Sequence, residues 1–263
     1  MFQSSKSALP NTSRPRKAWA HTYRKRLFDL SLAIPTLLLS LPIFVLVAFL
    51  IKFTSHGPVL FRQKRVGKGQ KLFTIYKFRT MHRFAEGQGP SVTRRGDPRL
   101  TMVGSLLRRF KLDELPQLFN VIIGEMSFVG PRPKIESHEH MTMHCRPGIT
   151  GAATMIFTRE EELLARVPEQ HVELYAIRVL NPIKAHLDER YAEEGTFSSD
   201  LGILLTTVLK LGRGKEATEL PDVPGITVGL GTHSQEERWS AAKPEWEDLV
   251  RVGSSSIRAA DPF

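Results

Sequence analysis

Two adjacent carboxylates, Asp113 and Glu114, are the side chains of this sequence best suited to chemistry. They follow the basic segment 108–111 and precede Pro116, so we expect them at the start of a short helix. The free amides and positive dipole end of a helix keep a carboxylate ionised and attract phosphate. Adjacent helical residues point about 100° apart, which lets one carboxylate attack phosphorus while the other holds Mg²⁺. Plain helix capping by Asp113 is the alternative that the pattern leaves open.

Two arginines are candidate phosphate ligands because of the segments that hold them. Arg132 lies in residues 124–133 and Arg146 in residues 146–151, and both segments are too rich in Gly and Pro for a regular element. We expect two shaped loops there, in which an immobilised guanidinium suits bidentate binding of phosphate. Loop arginines are more often solvated, so each residue alone is a weak signal.

A β-hairpin is predicted over residues 59–65 and 71–81, on either side of the turn residues 67–69. The period of two places four residues on one face of its second arm, namely Phe73, Ile75, Lys77 and Arg79. Cationic groups would thus project from a partly apolar face. We include Lys77 and Arg79 among the candidate phosphate-binding residues.

A metal cluster is a further possibility that the sequence raises. Histidine, glutamate and cysteine side chains crowd one short stretch: His138, Glu139, His140, His144 and Cys145. The zinc-protease pattern fails because Thr142 occupies the position that needs a second histidine, so zinc is disfavoured. No Walker loop and no Gly-rich dinucleotide motif follows a predicted strand. Cys145 is the only cysteine, which excludes an intramolecular disulfide.

The apolar run at residues 30–51 contains no charge over 22 residues and would reach about 33 Å as a straight helix. It is too long, and too far from the first residue, for a cleavable signal peptide. Basic clusters flank both of its ends, so the positive-inside bias favours the cytoplasm for both. Pro35 and Pro42 each remove an amide donor and kink a helix. We therefore predict a re-entrant helix, with an ordinary tilted span as the alternative.

Charge is unevenly distributed along the 263 residues. The first 112 residues carry 22 Lys and Arg against three Asp and Glu, whereas the whole chain has a net charge of +10. A basic front half implies an anionic partner. Because the basic residues surround the apolar run, we predict anionic membrane lipids and not nucleic acid. With 41% hydrophobic and 24% charged residues, the composition excludes a disordered chain and a polytopic membrane protein.

The fold class predicted is mainly α with a small β-hairpin (α+β). Helical patterns begin near Leu100, run from 160 to 194 with interruptions at Pro168 and Pro182, and end in an amphipathic helix, 200–211, capped by Ser198 or Ser199. One face of that last helix carries Leu201, Leu204, Leu205, Val208 and Leu209. The predicted organisation is a basic flexible tail at 1–22, a re-entrant helix at 23–53, a small cytosolic catalytic domain with interfacial amphipathic helices at 54–212, and an extension of unknown role at 213–263.

Several ordered blocks resemble a known family. They are residues 23–29 (YRKRLFD), 57–63 (GPVLFRQ), 76–81 (YKFRTM), 112–120 (LDELPQLFN), 124–133 (GEMSFVGPRP) and 146–151 (RPGITG), together with the proline-containing apolar run. This series resembles the bacterial sugar transferase family, the monotopic polyprenyl-phosphate phosphoglycosyl transferases, over residues 22–212.

The resemblance implies transfer of a sugar 1-phosphate from a UDP-sugar to polyprenyl phosphate, expected to be undecaprenyl phosphate. It further implies release of UMP, Mg²⁺ as the cofactor and an aspartyl phospho-sugar as the intermediate. By position, Asp113 matches the nucleophile and Glu114 its catalytic partner, and both are associated with the metal. Arg108, Arg132 and Arg146 match anion-binding arginines, and Pro42 the break of the membrane helix.

The same resemblance predicts where such an enzyme works. The expected location is the cytoplasmic face of the bacterial inner membrane, where the reaction initiates assembly of a polysaccharide or glycoconjugate. A homo-oligomer is an open possibility. The chain is expected to be nearly the catalytic unit alone, without the additional membrane-spanning region of larger family members.

This sequence departs from the family pattern at two places. Leu41 separates Ser40 from Pro42, where the family usually has serine directly before the proline, so a contribution of Ser40 to the break is in question. Residues 152–164 (AATMIFTREEELL) replace the common continuation and resemble a subgroup, so the sugar preference is open. Two rivals also remain: a membrane-attached glycosyltransferase that moves only the sugar and releases UDP, and a basic membrane-associated scaffold without activity.

Overall fold

A computed structural model describes residues 18–83, 92–135, 143–157, 160–165, 167 and 169–213; side chains are described only as far as residue 209, and not at residue 170. The helices are α1 Tyr23–Thr54, α2 Met102–Arg109, α3 Gln117–Ile123, α4 Ala152–Ile156, α5 Glu160–Leu164, α6 Val172–Tyr175, α7 Asn181–Glu194 and α8 Phe197–Arg213. The strands are β1 Leu60–Val66, β2 Leu72–Phe78, β3 Ser127–Val129 and β4 Gly148–Thr150. A mainly helical fold with a small β-hairpin is therefore confirmed.

Helix α1 contains the whole apolar run and continues through both prolines. Thr22 caps its first turn by accepting a hydrogen bond from the Lys25 amide. It is the one helix in the described ranges that is long and apolar enough to cross a membrane, judged by length and composition. The predicted break at Pro42 is not visible as an interruption of the helix, and the re-entrant geometry stays a prediction. Ser40 donates to the Leu37 carbonyl, three residues back, and not to the carbonyl of Leu38 that Pro42 leaves free.

One stripe of α1 is buried against the rest of the molecule along nearly its full length. Its members are Lys25, Asp29, Ala33, Ser40, Val47 and Ile51. Near the N-terminal end, Ala33 packs in a cluster with Phe73 and Leu118. Near the C-terminal end, Val47 and Ile51 pack with Phe78 and other apolar side chains of the same domain. The domain thus lies alongside the helix and not beyond one of its ends.

The predicted hairpin is confirmed, and a second small sheet was not predicted. Strands β1 and β2 pair antiparallel, with Leu60 opposite Phe78 and Val66 opposite Leu72. Strands β3 and β4 pair in parallel, and they arise from the two Gly- and Pro-rich segments that we expected to be loops. The backbones approach so closely there that a Cβ on Gly148 would lie 2.2 Å from the Gly130 nitrogen. Glycine in these segments therefore permits strand pairing as well as turning.

A tight connection carries the two adjacent carboxylates. Thr101 caps the N-terminus of helix α2, because its hydroxyl accepts a hydrogen bond from the Gly104 amide at 2.9 Å. After α2, Lys111 adopts a left-handed conformation with φ 56°, and a 3₁₀ turn, Leu112–Glu114, follows directly. Helix α3 begins only at Gln117, with Pro116 as its N-cap. The prediction that a helix starts at Asp113 is wrong, because the reversal at Lys111 leads into a 3₁₀ turn first.

The C-terminal helices differ from prediction at two positions. Pro182 does not interrupt the helix: the π-helical stretch Ala176–Leu180 leads directly into α7, where Pro182 occupies the first turn. Helix α8 starts earlier than expected because Thr196 caps it. The Ser199 amide donates to the Thr196 hydroxyl at 3.1 Å, while the Thr196 amide donates to the Ser199 hydroxyl at 2.8 Å. Pro168 lies outside the described residues.

The apolar face predicted for α8 exists but points largely away from the core. Four large apolar side chains are exposed, Leu201, Leu205, Val208 and Leu209, whereas Ile203 is buried. Helices α1, α2 and α3 also expose large apolar side chains, among them Leu39, Met102 and Ile123. An apolar surface spread over four helices is typical of a protein that contacts a lipid layer or a partner.

Candidate active site

Side chains from two separate segments converge on Glu114. The Lys77 ammonium, from the end of β2, lies 2.8 Å from Glu114 Oε1. The Arg132 guanidinium, from the loop after β3, lies 3.9 Å from the same oxygen. Three of the predicted site residues, Lys77, Glu114 and Arg132, therefore meet at one point of the fold. Their neighbour Asp113 completes what we call the dyad cluster: Asp113, Glu114, Lys77 and Arg132.

Asp113 is buried, with 6% of its surface exposed, and one of its two carboxylate oxygens lacks the donor that a buried polar atom normally has. Its Oδ1 atom is inaccessible to solvent and has no hydrogen-bond partner. The capping alternative raised from the sequence is therefore not what this side chain does. One turn later, the Nε2 atom of the buried Gln117 is likewise without a partner. The vicinity of Asp113 thus holds unused hydrogen-bonding capacity.

The pKa values of the two carboxylates are pushed in opposite directions. Burial raises the pKa of Asp113, and the neighbouring Glu114 charge raises it further. Burial acts in the same direction on Glu114, but the charges of Lys77 and Arg132 outweigh it and hold the pKa of Glu114 well below its usual range. Two adjacent carboxyl groups with separated pKa values are suited to different roles. Glu114 is a fixed anion, whereas Asp113 is the more basic and less paired of the two carboxylates.

Helix α3 fixes Lys77 in place through Asn120. The Asn120 side chain accepts from the Tyr76 amide at 3.2 Å and donates to the Thr74 carbonyl at 2.8 Å. It thereby mimics a neighbouring strand along the free edge of β2. Since Asn120 is fully buried, this contact sets the position of Lys77, the next residue of the strand, relative to the 3₁₀ turn that carries Glu114.

Arg108 lies close enough to the dyad cluster for its charge to act on Asp113. It is one of the charges that oppose the raised pKa of Asp113. Its guanidinium pairs with Glu161 on α5, at 2.7 Å from Nη2 and 3.1 Å from Nε. Arg108 therefore borders the site from the last turn of α2.

The described contacts of Arg79 and Arg146 lie away from the dyad cluster. The Arg79 guanidinium donates to the Ser55 and His56 carbonyls at 2.8 and 3.0 Å, at the end of α1. Arg146 donates through Nε to the Gly124 carbonyl at 2.8 Å, at the end of α3. Both guanidinium groups satisfy carbonyl oxygens at helix C-termini, where cations are favoured. Phosphate binding by Arg79 and Arg146 stays a prediction.

Sequence reasoning missed the acidic and basic residues that surround Arg132. Partial desolvation lowers the pKa of Arg132, but four nearby carboxylates together raise it, namely Glu114, Glu160, Asp113 and Asp188. Glu160 is itself paired with Lys184 at 2.5 Å. The sequence offered one signal for them. Charged residues at positions 160, 184 and 188 lie within helical segments, some of whose positions must be buried. Of the histidine-rich stretch, His138, Glu139 and His140 lie outside the described residues; His144 is exposed and Cys145 buried.

The dyad cluster has a donor set that fits Mg²⁺. Magnesium in proteins is usually held by one or two carboxylates, with water and substrate phosphates completing the coordination. Asp113 Oδ1 offers an unused carboxylate oxygen, and Glu114 lies beside it in the chain. The described residues contain no group of three or more His, Cys, Asp or Glu placed to hold a metal by protein ligands alone.

Comparison with known proteins decides the family. The model of the family described as bacterial sugar transferase matches residues 20–214. The chain belongs to this family. The match includes α1, the dyad cluster and α8, so the family covers nearly every residue that the structure describes.

Several curated bacterial proteins are similar to this chain. The UDP-glucose:undecaprenyl-phosphate glucose-1-phosphate transferase of Caulobacter vibrioides is 39% identical over 198 residues, covering 72% of this chain and 69% of the relative. The exopolysaccharide production protein PSS of Rhizobium leguminosarum bv. phaseoli is 42% identical over 145 residues, covering 50% of this chain and 72% of the relative.

A third relative is the UDP-N-acetylgalactosamine-undecaprenyl-phosphate N-acetylgalactosaminephosphotransferase of Aeromonas hydrophila. It is 41% identical over 146 residues, covering 52% of this chain but only 34% of the relative. The chain thus spans about a third of the length of this relative. The sugars in the names of these relatives differ, so family membership leaves the sugar open.

Proposed function

We propose that this protein transfers a sugar 1-phosphate from a UDP-sugar to undecaprenyl phosphate at a membrane surface, with release of UMP, and so initiates assembly of a polysaccharide or glycoconjugate. The observation that carries the proposal is the dyad cluster, in which a buried, underpaired Asp113 lies beside an ion-paired Glu114. Family membership and the names of the relatives support the substrates.

In the first step, a carboxylate oxygen of Asp113 attacks the β-phosphorus of the UDP-sugar. The bond between that phosphorus and the oxygen bridging to the α-phosphate breaks, and UMP leaves with the electron pair. The product on the enzyme is an acyl phosphate that carries the sugar. Because no hydrogen bond holds Asp113 Oδ1, the carboxylate loses little on approaching phosphorus.

In the second step, an oxygen of the lipid phosphate attacks the same phosphorus. The bond to the Asp113 oxygen breaks, which regenerates the carboxylate and forms the lipid diphosphate sugar. Lys77 and Arg132 contribute to both steps. They hold Glu114 ionised, and they present positive charge where phosphate oxygens must lie. Asp113 and Glu114 would hold Mg²⁺, which supplies further neutralisation of phosphate charge.

The packing of α1 supports an arrangement in which both of its ends face the same side of the membrane. The basic, charged catalytic domain contacts α1 from Lys25 to Ile51, so a perpendicular span would draw that domain into the hydrocarbon layer. The exposed apolar side chains of α1, α2, α3 and α8 instead suit contact with one leaflet. The dyad cluster would then lie near the headgroup layer that contains the lipid phosphate, on the cytoplasmic face.

The reaction is tested by incubating the purified protein with undecaprenyl phosphate, Mg²⁺ and a panel of UDP-sugars, and scoring the nucleotide released. We expect UMP with at least one sugar, and its release should require Mg²⁺. UDP as the only nucleotide product would mean transfer of the sugar alone. Turnover that survives replacement of both Asp113 and Glu114 would refute the assignment of the site.

The membrane arrangement is tested with single cysteines in a Cys145→Ser background. Ser5→Cys precedes α1, and Glu189→Cys lies on the exposed side of α7. We expect both to be protected from a membrane-impermeant thiol reagent in intact cells and labelled after lysis. Labelling of Ser5→Cys alone in intact cells would mean that α1 crosses the bilayer.

A further inference from the structure

Helix α7 carries three polar residues where an ordinary core helix has apolar ones. Lys184, Asp188 and Tyr191 are spaced by four and three residues, so they lie on one face. Their exposed fractions are 9%, 6% and 2%, whereas Glu189, next in sequence to Asp188, is exposed. A buried polar face of this kind is stable only if each group has a specific partner.

The partners of Asp188 flank Arg132. The Lys134 ammonium lies 3.0 Å from Asp188 Oδ2, and the backbone N–H of Arg132 is near enough to the same carboxylate to lower its pKa. On the opposite side, the Val66 amide of β1 donates to the Lys134 carbonyl at 2.9 Å. The segment that contains Arg132 is therefore held between a strand of the hairpin and α7.

The other two residues of this face extend the same contact in both directions. The Tyr191 hydroxyl lies 3.0 Å from the Val129 carbonyl, at the end of β3. Lys184 pairs with Glu160 at 2.5 Å, and the Glu160 carboxylate is one of the charges that act on Arg132. Along α7, successive turns thus fix the chain before Arg132 at Val129, the chain after it at Lys134, and an acidic group near its guanidinium.

Arg132 depends on such support because its own side chain is loosely held. Its guanidinium is 3.9 Å from Glu114 and its side chain is 47% exposed, unlike the Lys77 side chain, which is 21% exposed and 2.8 Å from Glu114. The direction of Arg132 is therefore set largely by the backbone that carries it.

We propose that Asp188 is a positioning residue of the transferase site, which holds the 129–134 segment so that Arg132 faces the dyad cluster and the diphosphate of the donor nucleotide. The inference rests on the proposed function for the identity of the ligand, but not for the contact itself. Asp188 acts through Arg132 and touches no substrate. A carboxylate that only stabilised the core would have no special link to Arg132.

The first test measures binding of UDP, the part common to UDP-sugars, in the presence of Mg²⁺. Arg132→Ala is expected to weaken binding about tenfold, in keeping with loss of a charge-assisted contact, and Asp188→Ala to weaken it by a factor of about three to ten through the same contact. In the double variant, the loss should not exceed that of Arg132→Ala alone by more than about twofold, since the two act through one contact. Losses that multiply would overturn the proposal.

The control is Glu189→Ala, which removes an exposed carboxylate from the neighbouring position of the same helix and should bind UDP as the parent protein does. If Asp188→Ala does not fold, Asp188→Asn and Lys134→Met provide milder changes to the same contact. A folded Asp188 variant with unaltered UDP affinity would refute the positioning role.

A second readout does not depend on any ligand. Amide hydrogen exchange across residues 129–135 should accelerate in Asp188→Ala and remain unchanged in Glu189→Ala. Unchanged exchange in the Asp188 variant would contradict the proposal. If the parent protein bound no UDP while the exchange result held, the proposed function would be wrong and the structural contact right, so the two failures are distinguishable.

Discussion

The molecule contains two clusters in which two carboxylates meet a lysine, the dyad cluster with Arg132 in addition, and the two differ in how far their carboxylates are hydrogen-bonded. In the anchor cluster, formed by Lys25, Asp29 and Asp200, the lysine lies 2.8 Å from each carboxylate. Asp29 also accepts from the Ser127 hydroxyl and the Phe128 amide, and Asp200 from Trp19 and Tyr191. In the dyad cluster, Asp113 Oδ1 has no donor at all.

The difference separates a structural site from a reactive one. Three donors on each carboxylate of the anchor cluster satisfy the charges and join α1, β3 and α8. Such a network specifies one arrangement of α1 on the domain. The underpaired oxygen of Asp113 contributes nothing comparable to stability, and this is the condition in which a carboxylate can act as a nucleophile.

The largest expected effect is on turnover in Asp113→Asn. The amide keeps the size of the side chain but cannot form an acyl phosphate, so we expect at least a thousandfold loss of UMP release. Because the change removes a buried and underpaired charge, the free energy of unfolding should be equal or higher by about 1 kcal/mol. Thermal unfolding in detergent and UMP release measure the two quantities, and an unstable variant would contradict this reading of the site.

The opposite result is expected in the anchor cluster. Asp200→Asn leaves Lys25 with less compensation in the interior and should destabilise the fold by about 3 kcal/mol. Turnover per folded molecule at low temperature should stay within about threefold of the parent protein, because no residue of this cluster contacts the dyad. A lowered thermal midpoint with retained activity would support the distinction between a structural anchor cluster and a reactive dyad cluster. A stable but inactive Asp200→Asn protein would contradict it.

A smaller effect is expected at the arginine that joins the dyad cluster from the loop after β3. Arg132→Lys keeps the charge but loses the planar fork, so KM for the UDP-sugar should rise about tenfold with the thermal midpoint unchanged. The matched change Arg146→Lys removes a bond to the Gly124 carbonyl and should show a smaller rise in KM. Equal kinetics of Arg132→Lys and the parent protein would mean that Arg132 is a solvated loop residue without a role in phosphate binding.

The smallest effect concerns Cys145, which is 1% exposed and lies in the core beside the anchor cluster. Burial raises the pKa of its thiol to about 12. At pH 8 the thiolate fraction would be about 10⁻⁴, so alkylation of the native protein should be very slow. Rapid iodoacetamide labelling of the folded parent protein would mean that this region opens, whereas labelling that increases only in Asp200→Asn supports the anchoring role.

The sequence predicted the elements with strong local signals and missed those defined by long-range contacts. The hairpin and the apolar helix followed from periodicity and hydrophobicity. Charge and resemblance selected Lys77, Glu114 and Arg132 as site residues, but their pairing is known only from the structure. The β3–β4 sheet was missed because its three-residue strands come from Gly- and Pro-rich segments that carry no period. The 3₁₀ turn at Asp113 was missed because it depends on the left-handed Lys111.

The anchor cluster shows the same limit for side chains. Asp200 is 175 residues from Lys25, and no local pattern indicates that they meet. The buried contacts of Asp188 and Lys184 could not be predicted for the same reason. An acidic helical segment is expected to be solvated unless its partners in the fold are known.

Mass analysis of the protein and its peptides tests directly whether Asp113 is a covalent nucleophile. Incubation of the parent protein with Mg²⁺ and its UDP-sugar, without the lipid phosphate, should add the mass of one sugar phosphate to a peptide containing Asp113, and undecaprenyl phosphate should then remove it. Asp113→Asn should acquire no such mass. Full turnover of the parent protein without any adduct on trapping at early times, or an adduct on another residue, would contradict the account.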